Sequence, residues 1–262
     1  MKFSILITSY NKGQYIEKCI QSCLKQDEKN YEILIFDNHS EDNSDLIFSK
    51  YANSIELFKR KKISNYSAMN QIDLLIKAFE VSKGDIICLL DGDDYFFPNK
   101  LNEVKKYFLK NQSVDILFDK PFIKNFDSLN RFHIKKKIQK NIWPQTIPTS
   151  SISLRREFMQ KCINEKLFEN YYNLEIDFRL NVFSQNINNN YKIIDLGITV
   201  YRQIDNSIMS NIKKFSKKWW LKRNEAHEFM RNLYSKNQLI YKNKFDFYFT
   251  SKISKFLSRH DN

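Results

Sequence analysis

One stretch constrains the fold of this chain more than any other: Gly84-Asp85-Ile86-Ile87-Cys88-Leu89-Leu90-Asp91-Gly92-Asp93-Asp94. Ile86 to Leu90 is apolar at every position, which fits a strand covered on both faces of a sheet. The run stops at three carboxylates within four positions. Glycine occurs only at positions 13, 84, 92 and 197, and two of these four bracket the strand. Gly92 permits a sharp turn between Asp91 and Asp93, so both carboxylates reach one point at the strand's carboxyl end. In open α/β sheets ligands bind at that end. Carboxylates crowded at a dry strand end repel one another, and a hard divalent cation is their natural counter-ion. A solvated acidic turn is the plainer reading, but the position directly after a buried strand favours the metal.

The residues before this strand alternate between two periods. Phe3 to Thr8 reads as a strand, followed by a loop from Ser9 to Gly13 and a helical pattern from Tyr15 to Gln26. Tyr31 to Phe36 is a second strand, Asp42 to Tyr51 a short helix, Ser54 to Phe58 a short strand and Ser67 to Val81 a helix. Strands alternating with helices imply a parallel sheet with right-handed crossovers. Three strands then end on one edge in polar clusters: Thr8-Ser9-Tyr10-Asn11, Asp37-Asn38-His39-Ser40 and the Asp91 cluster. Their convergence predicts a ligand crevice. No GxGxxG and no glycine-rich phosphate loop is present, so a bound phosphate would be held through a metal. Tyr10 can offer a ring face to a base, or be an exposed loop aromatic. Asp37 can accept from a base N–H or a ribose hydroxyl, or be a helix-entry cap.

These segments, in this order, resemble the family 2 glycosyltransferases with the GT-A fold. The likeness rests on Ser4-Ile5-Leu6-Ile7-Thr8-Ser9-Tyr10-Asn11-Lys12, on Tyr31 through Asp42 and on Gly84 through Asp94, and it thins beyond residue 110. It implies an α/β, Rossmann-like and mainly parallel central sheet flanked by helices, with a helical C-terminal extension. It also implies transfer of a sugar from a nucleotide sugar, a UDP-sugar first, to a hydroxyl of a saccharide or lipid-linked saccharide acceptor. Thr8, Tyr10 and Asp37 match positions that hold the nucleoside. Asp91 and Asp93 match the DxD pair, Asp91 toward ribose or sugar and Asp93 on a Mn2+ or Mg2+ ion at the diphosphate. Ala68-Met69-Asn70 is similar to the Ala-x-Asn helix of the family, which brings Asn70 into the donor site. The division expected is 1–110 as the nucleotide-sugar half, 111–208 as the acceptor half and 209–262 as a basic, aromatic helical extension.

In the second half, Leu101 to Lys110 reads as a helix, Val114 to Phe118 as a strand, and Trp143 to Leu154 as a loop entering a strand. Asp119 to Asn141 is basic and aromatic without clear period. Leu174-Glu175-Ile176-Asp177-Phe178-Arg179-Leu180 is expected to open a helix with two acids in its first turn. Dipole complementarity explains such acids without any chemistry. The resemblance instead implies a general base, because family members often carry Glu-Asp there; Asp177 is preferred over Glu175 by its register with Phe-Arg-Leu. Leu196 to Gln203 resembles the family's closing strand, in which Arg202 meets a phosphate or forms a structural ion pair. Ile204 stands where that pattern has histidine.

Charge brings in the rival classes. The net charge is +13, and residues 211–262 carry 13 Lys/Arg against 4 Asp/Glu. Such a tail suits nucleic acid, an anionic membrane face or a polyanionic substrate. A generic nucleic-acid binder is disfavoured, because the carboxylates occupy the best-formed crevice. A nucleotidyltransferase is disfavoured by the missing Gly- and Lys/Arg-rich phosphate loop. A catalytically degenerate sugar-nucleotide binder stays open, given the split Glu175/Asp177 pair and Ile204. Basic-aromatic helices beyond Lys213 suit peripheral contact with an anionic membrane, or packing over the sheet with a solvated basic face. No run approaches the roughly 20 apolar residues of a spanning helix, and the start has no signal-peptide layout. A cytoplasmic protein is expected, with peripheral contact on the inner face of the membrane. Capsule or lipo-oligosaccharide synthesis is the expected setting. The four cysteines form no CxxC pair and the four histidines no ligand-spaced cluster, so buried thiols are expected and zinc is not.

Overall fold

Seven strands form the central sheet, in the order 191–194, 116–119, 152–155, 86–91, 3–9, 31–37 and 56–59. The computed structural model describes residues 1–125, 128–133, 143–204 and 212–258. Parts of the 119–141 stretch, the 208/209 boundary, His260 and the last four residues lie outside them. The first half alternates β1 (Phe3–Ser9), α1 (Ile16–Leu24), β2 (Tyr31–Asp37), α2 (Ser44–Lys50), β3 (Glu56–Lys59), α3 (Ser67–Val81) and β4 (Ile86–Asp91). After β5 (Tyr95–Phe96) and α4 (Lys100–Lys110) come β6 (Ile116–Asp119), β7 (Phe122–Lys124), β8 (Leu129–Arg131) and β9 (Ile152–Arg155). Then follow α5 (Arg156–Asn164), α6 (Ile176–Phe183), β10 (Tyr191–Ile194), β11 (Thr199–Arg202), α7 (Lys217–Lys236) and α8 (Lys244–Ser258).

β4, β1, β2 and β3 are mutually parallel, whereas β9 runs antiparallel to β4 and β6. The mainly parallel α/β sheet flanked by helices is therefore as expected. A second, four-stranded sheet in the order β5-β11-β7-β8 is not. Of its strands only β11, in the Leu196–Gln203 stretch, was expected; β5, β7 and β8 are two or three residues long, too short for a two-residue period to emerge from the sequence.

The pleat explains why β1, β2 and β4 are apolar throughout. Leu6, Leu34, Phe36, Ile87 and Leu89 join α3, α5, α6 and α7 in one core cluster. Phe3, Ile5, Ile7, Ile33, Ile35, Ile86, Cys88 and Leu90 face α1, α2 and α4 in the other. Successive side chains point to opposite faces, and helices cover both. All four cysteines are buried and free. Gly84 is set by space, since a Cβ there would lie 2.5 Å from the Ser4 nitrogen.

Parallel register puts Ser9 beside Asp37 and Thr8 beside Asp91. The polar clusters thus emerge together on one edge. There Asn11 and His39 adopt left-handed φ angles of 51° and 53°. The Asn11 N–H donates to the Ser40 hydroxyl and its side-chain oxygen accepts from the Glu41 N–H, each at 2.8 Å, so the two loops hold each other.

Candidate functional site

A cleft of about 510 Å³ opens at this edge. Its wall includes Thr8, Tyr10, Asn70, Asp91, Asp93, Glu175, Asp177 and Arg202, eight of the nine residues expected from the sequence. Asp37 is the exception: it is fully buried and is not among the residues of that wall. Its carboxylate accepts from the Ser40 N–H at 2.7 Å and the Ser40 hydroxyl at 2.6 Å. It therefore shapes the loop after β2 and caps no helix, since the N-cap position of α2 is Asn43.

The carboxylates of the Asp91 turn have separate surroundings. Asp91 Oδ1 accepts from the Gln71 amide at 2.7 Å and the Thr8 hydroxyl at 3.1 Å. Burial, reinforced by Asp93, pushes its carboxyl up to about 6. Asp93 forms an ion pair with Lys12. Asp94 is fully buried; its Oδ1 accepts from the Arg202 N–H at 2.7 Å and its Oδ2 from the Ser150 hydroxyl at 2.5 Å. Burial and the charges of Asp93 and Asp91 hold the Asp94 carboxyl well above the usual range. Asp94 thus ties β11 and the turn before β9 to the acidic loop. Gly92 has no positive φ. It sits in close quarters, where a Cβ would lie 3.1 Å from both the Thr8 carbonyl oxygen and Ile16 Cδ1 and would press both neighbours back.

Asn70 is a builder of the wall. Its side-chain oxygen accepts from the Ile63 and Ser64 N–H groups at 3.0 Å each, and its amide donates to the Ser64 carbonyl at 2.8 Å. These bonds fix the loop carrying Lys62, whose ammonium sits 3.8 Å from the centre of the Tyr10 ring. The Arg202 guanidinium donates to the Asp93 carbonyl and lies 4.8 Å from the Tyr95 ring. It supports the acidic turn through its backbone.

The second acidic pair stands at the start of α6. Glu175 is the N-cap residue, outside the first turn, and Asp177 lies within that turn. Asp177 Oδ1 accepts from the Phe178 N–H at 2.6 Å, which agrees with dipole complementarity. Glu175 is ion-paired with Lys222 of α7. Asp177 has no ion pair among the described residues, and burial, with Glu175 nearby, pushes its carboxyl up to about 7. Arg179 fixes the approach to this helix. Fully buried, it donates to the carbonyls of Leu167, Glu169, Asn170, Tyr171 and Leu174 at 2.6–3.0 Å.

Lys12, Lys62, Gln71, Ser150 and Lys222 shape the site although the sequence reading did not single them out. For Gln71 a signal exists: with Ser67 and Asn70 it puts polar groups at helical spacing on a helix otherwise apolar on its covered side. Lys222 had none, being 47 residues from Glu175.

A divalent cation is compatible with this donor set on one condition. Among the described residues no three His, Cys, Asp or Glu side chains come together as a metal cluster. Among the described residues Asp91 and Asp93 supply two carboxylates and Ile204 no ligand, so phosphate oxygens and water would complete the coordination. Mg2+ is commonly held in this way.

Comparison with known proteins points the same way. The glycosyl transferase family 2 model matches residues 4–163. An uncharacterized glycosyltransferase of Mycoplasma genitalium is 28% identical over 174 residues, covering 61% of this chain and 57% of the relative. The Escherichia coli UDP-Glc:alpha-D-GlcNAc-diphosphoundecaprenol beta-1,3-glucosyltransferase WfgD is 30% identical over 138 residues, 53% of each chain. The matched part spans 57%, 36% and 53% of three of the curated relatives' lengths. Among solved structures, S. aureus TarS 1-349 in complex with UDP-GlcNAc superposes with a TM-score of 0.66 at 17% identity, covering 99% of this chain and 72% of that one. A Pyrobaculum calidifontis mannosyltransferase in complex with GDP-Man and Mn2+ gives 0.55 at 14% identity, covering 100% and 76%.

Proposed function

The chain belongs to glycosyl transferase family 2, and from that premise we propose that the cleft transfers a sugar from a nucleotide-sugar donor, a UDP-sugar, to a hydroxyl of a saccharide acceptor. One observation carries the reading. Asp91 and Asp93 share a single cleft with Asp177, a carboxylate whose pKa lies near 7. That combination supplies a seat for a diphosphate and a base for an incoming hydroxyl.

The donor's nucleoside lies against Thr8 and Tyr10, its base displacing the Lys62 ammonium from the Tyr10 ring or stacking beneath it. Lys12 is released from Asp93 toward the diphosphate, where a cation offsets the charge of the leaving group. Asp93, with Asp91 beside it, would hold Mn2+ or Mg2+, which would add to the neutralisation of that charge. Asp177, ionised, accepts the proton of the acceptor hydroxyl. The hydroxyl oxygen bonds to the anomeric carbon as the bond to the diphosphate oxygen breaks on the opposite face. A single displacement inverts the anomeric centre. Glu175, ion-paired with Lys222, stays out of the proton transfer, and its carboxylate still raises the pKa of Asp177 against the opposing effect of Lys222.

The names of two similar proteins support the finer points: UDP-GlcNAc is bound by TarS, and the WfgD acceptor is a diphosphoundecaprenol. A lipid-linked acceptor in capsule or lipo-oligosaccharide synthesis is the corresponding reading here. Residues 1–110 then form the donor half, 111–208 the acceptor half and 209–262 the extension.

A thermal-shift panel of nucleoside diphosphates, with and without manganese, tests the donor site. A ligand at ~100 times its Kd stabilises the native state by about 2.7 kcal/mol. One diphosphate should give a manganese-dependent shift that Asp93→Ala loses. No shift with any diphosphate would defeat the transferase reading.

A further inference from the structure

The last helix is packed the wrong way round for a globular protein. On α8 the buried positions are polar: Thr250 is fully buried, Ser254 nearly so, and Asp246 turns inward to pair with Arg223 of α7. Phe247 turns inward against His227 and Arg231, and Ile253 and Leu257 are half-buried, but a row of large side chains points outward, with Phe245 84%, Tyr248 58% and Phe249 52% exposed. These sit at i, i+3 and i+4, and Lys252 follows at i+7, so they form one stripe. A surface helix ordinarily buries its apolar stripe.

The stripe is continuous with aromatic residues at the start of α7. The Phe249 ring lies 6.0 Å from Trp220, which is 4.7 Å from Trp219, and both meet Phe215. Phe215 is 62% exposed and held at a φ of 65°, a left-handed conformation unusual for an aromatic residue. Exposed lysines border the rings: Lys213, Lys214 and Lys218 on one side, Lys252 and Lys255 on the other. Between residues 212 and 258 there are 12 Lys/Arg against 3 Asp/Glu. Among the described residues no helix is long and apolar enough to cross a membrane.

We propose that this face, Phe215, Trp219, Trp220, Phe245, Tyr248 and Phe249 with their border of lysines, docks the protein on the surface of an anionic lipid bilayer. The rings enter the boundary between headgroups and acyl chains, where amphipathic aromatics are at home. The lysines bury their stems and keep their ammonium groups among the lipid phosphates. Charge complementarity selects this occupant. A second copy would set one lysine border against another. The proposal is independent of which reaction the cleft performs. The two are nevertheless neighbours, since Lys222, two residues beyond Trp220, pairs with Glu175 in the cleft wall.

The test is co-sedimentation of the full chain with phosphatidylcholine–phosphatidylglycerol vesicles, with pure phosphatidylcholine vesicles as control. The wild-type protein should partition onto the anionic vesicles, and its tryptophan emission should shift to the blue. The triple substitution Phe245→Ser, Tyr248→Ser, Phe249→Ser should lower partition by about tenfold or more while leaving the melting temperature unchanged, since these side chains are exposed. Lys252→Glu with Lys255→Glu should abolish the preference for anionic over neutral vesicles. Absence of wild-type binding, or equal binding by the triple variant, overturns the proposal. So does a wild-type dimer in sedimentation velocity that the triple variant dissociates, which would make the face a self-interface. Tight, salt-sensitive binding of generic RNA, lost in the triple variant and unaccompanied by vesicle binding, would assign the face to nucleic acid instead.

Discussion

Two acidic pairs line the same cleft, and each is half neutralised by one lysine. At the end of β4, Lys12 pairs with Asp93 and leaves Asp91 with only neutral donors, Gln71 and Thr8. At the start of α6, Lys222 pairs with Glu175 and leaves Asp177 with a backbone N–H. The unpaired member of each has its pKa raised, Asp91 to about 6 and Asp177 to about 7, chiefly by burial. The difference lies in the neighbouring groups. The β4 turn holds three carboxylates that a cation or a cationic side chain must offset. The α6 pair holds two, one already offset, so the other is free to exchange a proton near neutral pH. Crowded charge suits a seat for a cation and diphosphate; a lone, desolvated carboxylate suits a base.

The comparison breaks most sharply at Asp177. Asp177→Asn should lower turnover by about 10²–10⁴-fold while the thermal shift produced by the donor diphosphate is preserved. Equal loss in Glu175→Gln, with Asp177→Asn active, would reverse the assignment of base and spectator.

Next in size is Arg179→Met. It leaves carbonyls of the 167–174 loop without their donor, and should destabilise the fold by about 3–5 kcal/mol in a urea titration. Loss of less than about 1 kcal/mol would mean that the loop is held by other contacts.

The pH profile sharpens the comparison further. A base must be ionised, so kcat should climb through an apparent pKa of about 7 and level off above it. In Lys222→Met, the unpaired Glu175 charge should move that midpoint upward. A profile flat from pH 5 to 8, about the range in which such a group titrates, would separate Asp177 from the proton transfer.

The smallest effects concern the pH dependence of stability. A carboxyl whose folded pKa is raised stabilises the protein below its unfolded pKa, about 3.9, and loses that contribution as pH rises through the folded value. For Asp91 the window closes at about 6. Asp91→Asn should therefore raise the unliganded melting point above pH 7, by the equivalent of about 1–2 kcal/mol, and have no such effect near pH 4. Lys12→Met should do the opposite above pH 7, by about 1 kcal/mol, with manganese restoring the loss. An unchanged melting point in both would mean that the crowded turn is screened by water.

Much of the scaffold was legible because it rests on local patterns. The apolar runs Phe3–Thr8, Tyr31–Phe36 and Ile86–Leu90 correspond to β1, β2 and β4 to within a residue or two, and helical spacing located α1, α3 and α4. The short strands β5, β7 and β8 were not legible, because two or three residues cannot establish a period. The candidate site divides similarly. Residues at strand ends and helix starts were found, since position along an element fixes which edge they reach. Asp37 satisfied that rule yet lies outside the cleft, because Ser40 three residues on captures its carboxylate.

Sequence alone determined the α/β class, the parallel order of the first strands and the arrival of Thr8, Tyr10, Asp91 and Asp93 at one edge. Periodicity and right-handed crossovers permit few other arrangements. Tertiary structure decided which carboxylates are neutralised: Lys12 reaches Asp93 across 81 residues of chain, and Lys222 reaches Glu175 across 47. It also decided that α8 leaves Phe245, Tyr248 and Phe249 outside while Phe247 packs on α7. Both outcomes depend on distances between side chains, set by packing of elements far apart in the chain, and no local pattern encodes those distances.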